Sequence, residues 1–189
     1  MSFSRIFQVV ALVIAFSLPA FTQTPKIFTK DGLTFNYPSA WTLQDTSKGD
    51  AQQLTLARAD SDAQIRLFVY RGLIETPEKV AEAKRKLVDT YVDSTAKTFE
   101  QMGARPERSP ASTEIGGAKA EGVKIRAVLE GEPGAAEIYW VVLGERLIVM
   151  TFFGPDRALK QVGSAWEAVR ASVQVEGIKP QAAPSPTPK

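Results

Sequence analysis

Hydrophobic and polar side chains alternate over several short stretches of the chain, which is the period of a β-strand with one buried face. Leu33, Phe35 and Tyr37 give the clearest example, and an Asp-Gly turn signal precedes them. The same pattern predicts further strands, which lie at residues 53–58, 63–70, 121–130, 136–143 and 146–153. The last two are apolar on both faces, so we expect them at the centre of a sheet that is covered on both sides.

One long stretch in the middle of the chain changes to the helical period of three and four residues. It predicts a helix over 76–102, with Thr76 as the N-cap, Pro77 at the first helical position and Gly103 as the stop. The apolar stripe of this amphipathic helix is predicted to comprise Val80, Ala83, Leu87, Tyr91, Thr95, Phe99 and Met102.

A second helix is predicted to begin near Pro155 and to end near Gly177. Its apolar positions at helical spacing are Leu159, Val162, Trp166, Val169 and Val173. The polar segment 105–117, which follows the first helix, is predicted to be a loop. The order is therefore strands, long helix, antiparallel strands and helix. We predict an α+β fold in which an antiparallel β-sheet is sandwiched between α-helices, an α/β/α arrangement.

The two ends of the chain differ from its middle. Residues 1–22 are predicted to be a signal peptide, because Arg5 precedes an apolar run that is shorter than the ~20 residues of a membrane span. A retained membrane anchor is the alternative. Residues 178–189 contain four prolines and little apolar surface, which predicts a disordered tail. One domain at 25–177 is expected, in a soluble protein of the periplasm or the exterior that is at most peripheral to a membrane.

The composition argues against several functional classes. The chain contains no His and no Cys, so the usual zinc ligands, nucleophile–His pairs and disulfides are absent. The 23 basic and 21 acidic residues are interspersed, which does not give the positive surface of a nucleic-acid-binding protein. We therefore expect no nucleic-acid partner, no cofactor and no enzymatic activity.

Two weak motifs are better explained by ordinary structure. Ser94 and Lys97 match the S-x-x-K pattern of penicillin-binding enzymes, but the companion S-D-N and K-T-G elements are missing. Asp60 and Asp62 offer oxygen ligands for calcium, but their spacing is not that of an EF-hand loop. We predict a solvated helix surface for the first pair and a turn for the second, and neither a catalytic nor a metal site.

Three basic side chains are the candidates for binding a partner. Arg66, Lys124 and Arg126 alternate with apolar neighbours on their strands, so we expect them to align across the sheet as a basic patch for an anionic partner. The alternative is an exposed sheet edge that is protected by charge. The tryptophans are predicted to be core residues rather than an aromatic ligand surface: Trp41, Trp140 and Trp166.

A family resemblance covers nearly all of the expected domain. Residues 31–41 read Asp-Gly-Leu-Thr-Phe-Asn-Tyr-Pro-Ser-Ala-Trp, an alternating strand that runs into an aromatic-Pro-x-x-Trp motif. With the long helix, the Phe152-Phe153 strand and the final helix carrying Trp166, this resembles the PsbP-like/Mog-like/DcrB group. The resemblance implies a sheet packed between helices in an exported or lumenal protein, with the thylakoid lumen as the location only in a phototroph.

The resemblance also implies a role in binding, assembly or stabilisation rather than catalysis. We therefore expect an exported non-catalytic factor for an extracytoplasmic or membrane-associated complex, with a protein or an envelope component as its partner. Two alternatives stay open. One is an envelope hydrolase whose site matches no known motif, and the other is a carrier of a small ligand, which needs an apolar pocket between sheet and helix.

Overall fold

A computed structural model of the chain describes residues 24–176. The predicted signal peptide at 1–22 and the predicted tail at 178–189 lie outside the described residues. The described residues form an α+β fold with a large antiparallel sheet between helices, as predicted, and with a second, three-stranded sheet that was not predicted. None of the helices between residues 24 and 176 has the length and apolar character needed to cross a membrane.

Within residues 24–176, ten strands form the two sheets. They are β1 (Lys26–Lys30), β2 (Leu33–Tyr37), β3 (Thr42–Asp45), β4 (Ala51–Ala57), β5 (Gln64–Tyr70), β6 (Glu107–Ile115), β7 (Ala118–Leu129), β8 (Glu132–Leu143), β9 (Arg146–Pro155) and β10 (Gln174–Val175). The small sheet has the order β1-β2-β10, and the large sheet has the order β3-β4-β5-β9-β8-β7-β6. The strands β5, β9 and β8 are therefore central in the large sheet.

The long helix is present, and it contains a π-helical segment. It consists of α1 (Pro77–Ala83), the π-helical segment Lys84–Asp89 and α2 (Thr90–Gln101), which follow one another without a break. The Thr76 hydroxyl accepts a hydrogen bond from the backbone N–H of Lys79 at 3.3 Å, which confirms the predicted N-cap.

The buried stripe of this helix differs from the predicted one. The side chains buried beneath it are Val88, Val92 and Ala96, whereas Val80 and Met102 are 38% and 60% exposed. A π-helical turn has more residues than an α-helical turn, so it rotates the following positions around the helix axis. The predicted stripe is therefore right in part: Ala83, Leu87, Tyr91 and Phe99 are half-buried against this core, whereas the fully buried positions lie beside them and the stripe's two ends are exposed.

The second predicted helix is α3 (Asp156–Ala171), which ends before the predicted stop near Gly177. The Ser172 hydroxyl donates a hydrogen bond to the Val169 carbonyl at 3.0 Å and accepts one from the backbone N–H of Asn36 at 2.9 Å. The chain then forms β10 beside β2. Strand pairing with a distant segment thus replaces the last helical turn that the local pattern predicts.

The polar segment 105–117 is mostly a strand, not the predicted loop. Its residues Glu107–Ile115 form β6, which pairs along its whole length with β7 at the edge of the large sheet. Most side chains of β6 are exposed and Pro110 lies within it, both of which are typical of an edge strand. A solvated edge strand lacks the apolar alternation on which the sequence prediction depended.

The large sheet separates two hydrophobic cores. On one face, which we call the α3 face, α3 and the small sheet pack against it, and Phe35, Trp41 and Trp166 are buried there. On the other, the α2 face, Val88, Val92 and Ala96 pack over the sheet. Successive residues of β9 enter opposite cores, which confirms that the central strands are covered on both sides.

Candidate binding site

The three predicted basic residues do not form one patch. Arg66 on β5 pairs with Thr151 of β9, and both belong to the α2 face. Lys124 on β7 pairs with Glu137 of β8 on the opposite face, and Arg126 shares that face two residues further along. The strand register therefore separates Arg66 from Lys124 and Arg126. A role for any of them in binding a partner stays a prediction.

Lys124 and Arg126 are each neutralised by a nearby carboxylate. The Lys124 ammonium lies 2.6 Å from Glu137, and the Arg126 guanidinium lies 2.6 Å from Asp156 at the start of α3. Glu137 also accepts a hydrogen bond from the Tyr139 hydroxyl at 3.1 Å. Burial, together with the neighbouring Glu137 charge, raises the pKa of Tyr139 to about 12. The first ion pair joins β7 to β8 and the second connects the sheet to α3, and together they leave little free charge for a partner.

Arg66 has a different environment. Its guanidinium lies over the Phe153 ring, 4.4 Å from the ring centroid, and one of its N–H groups donates to the Gln64 side-chain oxygen at 3.3 Å. No carboxylate forms an ion pair with it within residues 24–176. Arg66 is therefore an exposed cation that is held by a ring and an amide, and its charge is not neutralised.

Two open clefts lie between α2 and the large sheet, because a single helix covers only part of this wide face. The first cleft has a volume of about 570 Å³ and lies over β4 and β5. The second has a volume of about 560 Å³ and lies over β7, β8 and β9. Both are lined by Arg66, Tyr91, Ser94 and Thr151, so the two clefts meet at these side chains. Each volume is in the range of small-molecule binding sites.

The first cleft is basic as well as apolar. Lys86 and Arg66 are its charged lining residues, and no acidic side chain lines it. The Lys86 ammonium forms an ion pair at 2.5 Å with Glu82, one helical turn earlier. The neighbouring apolar surface comes from Phe68 on the sheet and Leu87 on the π-helical segment. This cleft therefore offers an excess of positive charge beside apolar surface.

The second cleft is mostly apolar, and its two acids share one basic partner. Its apolar lining includes Phe99, Met102, Leu129 and Phe153. The acids at its edge are Asp62 and Glu132, and both interact with Arg157, at 3.4 and 2.8 Å respectively. Neither acid forms an ion pair with Arg66 within residues 24–176.

Hydroxyl groups complete the junction of the two clefts. The Thr151 hydroxyl donates to the Tyr91 hydroxyl oxygen at 3.2 Å, so the Tyr91 O–H proton remains available to an acceptor in the cleft. The Ser94 hydroxyl donates to the Tyr91 carbonyl at 2.9 Å. The junction therefore combines one cation and one free hydroxyl donor.

The side chains of the two weak motifs have ordinary partners in the described part of the chain. The Ser94 hydroxyl is bonded to the helix backbone, and no hydrogen bond joins it to Lys97 within residues 24–176. Asp60 pairs with Arg58, and Asp62 pairs with Arg157. No group of three or more acidic, His or Cys side chains is arranged to hold a metal ion between residues 24 and 176.

The fold described above is that of the PsbP-like α+β proteins. The solution structure of cyanobacterial PsbP (CyanoP) from Synechocystis sp. PCC 6803 is similar, with a TM-score of 0.52, 13% identity, and coverage of 84% of this chain and 96% of that one. A crystal structure of a protein from Bacteroides thetaiotaomicron VPI-5482 has a TM-score of 0.51 at 15% identity. That match covers 80% of this chain and 48% of the other, so this chain spans about half the length of that protein.

Sequence comparison adds no family assignment. No protein-family model matches the chain, and no curated protein sequence matches it significantly. At 13% and 15% identity the structural likeness shows the fold alone.

At the junction, the sequence singled out Arg66 as a binding candidate and Ser94 through the S-x-x-K pattern, but neither Tyr91 nor Thr151 as a site residue. Tyr91 was assigned to the buried stripe of the long helix, whereas it is partly exposed between the two clefts. The signal for Thr151 is its position as a hydroxyl residue within an otherwise apolar strand, Arg146–Pro155. A buried hydroxyl in an apolar strand indicates a nearby hydrogen-bond partner, which here is the Tyr91 hydroxyl.

Proposed function

We propose that this protein is an exported non-catalytic factor that binds, assembles or stabilises an extracytoplasmic or membrane-associated complex. Its binding surface is the pair of clefts beside α2, which hold an envelope component. The observation that carries the proposal is the position of Arg66, a cation without an ionic partner at the junction of two clefts. A fixed charge beside apolar surface is a common arrangement in ligand sites.

Two features of the sequence support export and a non-catalytic role. The basic and apolar pattern of residues 1–22 is typical of a signal peptide, and the PsbP-like resemblance implies an exported or lumenal protein. The lack of His and Cys removes the commonest activated nucleophiles and acid–base groups. The similarity to cyanobacterial PsbP is consistent with this class of protein.

The clefts also favour a second candidate function, carriage of a small ligand. Their volumes of about 570 and 560 Å³ suit a small molecule. Apolar residues from both sheet and helix line them, which is the pocket that this alternative requires.

Site-directed photo-crosslinking tests the binding function. A photo-reactive amino acid at Thr98 samples the second cleft, and the same residue at Lys160, exposed on α3, is the matched control. We expect a discrete product from envelope fractions at Thr98 only, and we expect Arg66→Gln to remove it. Equal products at both positions, or a product that does not depend on Arg66, would contradict the proposal.

Activity profiling separates this function from an envelope hydrolase. Generic ester, peptide and glycan substrates are incubated with the purified protein and with a Ser94→Ala variant. We expect neither protein to accelerate hydrolysis. Turnover that a single Ser or Asp substitution abolishes would reverse the assignment in favour of an enzyme.

A further inference from the structure

The geometry points to a specific chemical class for the occupant of the clefts: an anionic amphiphile, with one acidic head group and an apolar chain. The head group lies at Arg66, where the two clefts meet, and the chain lies in the second cleft. This inference rests on the proposed binding function and gives its partner a chemical class.

The head group is assigned from the donors at the junction. Arg66 presents a guanidinium whose charge is not neutralised, and the Phe153 ring beneath it restricts its orientation. Tyr91 presents a free O–H donor, because its oxygen already accepts from Thr151. A carboxylate or phosphate accepts hydrogen bonds from both groups, and charge-assisted bonds of this type are stronger than neutral ones.

The charge of the head group follows from the surroundings of the junction. Lys86 also lines the first cleft, but Glu82 balances its charge. Asp62 and Glu132 at the second cleft lie against Arg157, which balances one of their two charges, and neither forms an ion pair with Arg66. Arg66 therefore supplies the unpaired charge at the junction, and an anionic head group is complementary to it whereas a cationic one is not.

The apolar chain is assigned from the lining of the second cleft. Phe99 and Met102 of the helix region face Leu129 and Phe153 of the sheet across this cleft. Met102 is 60% exposed, so an apolar ligand placed against it removes apolar surface from water, which is favourable. Flexible Met side chains also adapt to chains of different length.

The π-helical segment supports this position for the site. It supplies Lys86 and Leu87 to the first cleft, and α2 follows it directly with Tyr91. π-helical turns occur frequently at functional sites, where they alter which side chains face a ligand. Here the segment coincides with the residues that line the basic cleft.

Isothermal titration calorimetry with three probes tests the ligand class. Dodecanoate, below its micellar concentration, supplies head group and chain, acetate supplies the head group alone, and dodecyltrimethylammonium supplies the chain with a cation. We expect saturable 1:1 binding of dodecanoate, and affinities at least tenfold weaker for the other two. No binding of dodecanoate, or equal binding of the cationic probe, would overturn the proposal.

Matched variants test each half of the site. Arg66→Gln should weaken dodecanoate binding by roughly ten- to a hundredfold, the cost of a lost charged hydrogen bond, whereas Arg105→Gln, an exposed control, should leave it unchanged. Met102→Glu should weaken dodecanoate binding similarly, because it places a carboxylate beside the apolar chain of the ligand. Lys97→Glu is its surface control. Unchanged binding in Arg66→Gln or Met102→Glu would contradict the assignment.

The outcomes separate this inference from the proposed function. An Arg66-dependent crosslink at Thr98 without dodecanoate binding would refute the amphiphile and leave the binding function intact. If that crosslinked product is a protein, the cleft is a protein-docking surface instead. Loss of both the crosslink and dodecanoate binding would refute both proposals.

Discussion

The two faces of the large sheet are covered by different amounts of apolar surface. Six residues of α3 are buried in the core on their face: Ala158, Leu159, Val162, Ala165, Trp166 and Val169. On the other face α2 buries two residues and the π-helical segment one, while α1 buries none. The closed α3 face therefore supplies most of the helix-to-sheet packing. The partly covered α2 face retains the space in which a ligand binds.

This difference separates stability from binding within a single sheet. The strands β5, β8 and β9 contribute alternate residues to both faces, so the packing of the α3 face fixes the position of side chains such as Arg66 and Thr151 on the other. A site on strands of a well-packed sheet is held more rigidly than one on loops. The aromatic stack of the α3 face, at Trp166, is the first place to test this.

The largest expected effect is that of Trp166→Ala. The ring stacks on Phe152 at a centroid distance of 5.2 Å and on Tyr139 at 6.1 Å, and it is 6% exposed. We expect the free energy of unfolding to fall by about 3 to 5 kcal/mol, because the substitution removes apolar contacts and leaves a cavity. Denaturant unfolding measures this. A loss below about 1 kcal/mol would contradict the assignment of the α3 face as the main core.

A smaller loss of stability is expected for Val88→Ala, a residue of the π-helical segment that is buried against the sheet on the α2 face. Val88 is fully buried, and the substitution removes the equivalent of two methylene groups, which costs about 2 kcal/mol. Val128→Ala is the matched control, since Val128 is 57% exposed and should change stability by less than about 0.5 kcal/mol. Equal losses for Val88→Ala and Trp166→Ala would remove the contrast between the two faces.

The smallest expected effect concerns the contact between the two sheets. The Lys30 ammonium of β1 lies 2.7 Å from the Asp45 carboxylate of β3, and this bond, with a second from Ser47, lowers the pKa of Asp45 to about 2. Because the pKa is lower in the folded state, the stabilisation is present above the ordinary value near 3.8 and is lost as the pH falls through about 2.

Asp45→Asn should therefore destabilise the protein at pH 7 by less than about 1 kcal/mol, because the pair is partly exposed and screened by solvent. The difference from the parent should disappear near pH 2. Unfolding measured from pH 2 to pH 7 checks both statements, and in a Lys30→Gln background the pH-dependent part should shrink. A difference that persists unchanged at pH 2 would show that Asp45 acts without its charge.

Local patterns in the sequence determined much of this fold. Alternation in residues 33–37 and 63–70 predicted strands because the side-chain period of a strand is a local property. Thr76 and Pro77 predicted the start of the long helix because a cap depends on neighbouring backbone groups. The buried position of Trp166 followed from the helical period, and that of Trp41 from its place just after the first strand and Pro38.

The tertiary structure decided the features that depend on residues far apart in the chain. Strand order and pairing, which join segments far apart in the chain, placed Arg66 and Lys124 on opposite faces of the large sheet. Pairing with β7 made a strand of a polar segment, and pairing with β2 ended α3 early. The clefts exist because one helix, rotated by a π-helical segment, packs over a sheet too wide for it to cover. Side-chain periodicity reports local geometry, whereas a binding site is set by which distant segments meet.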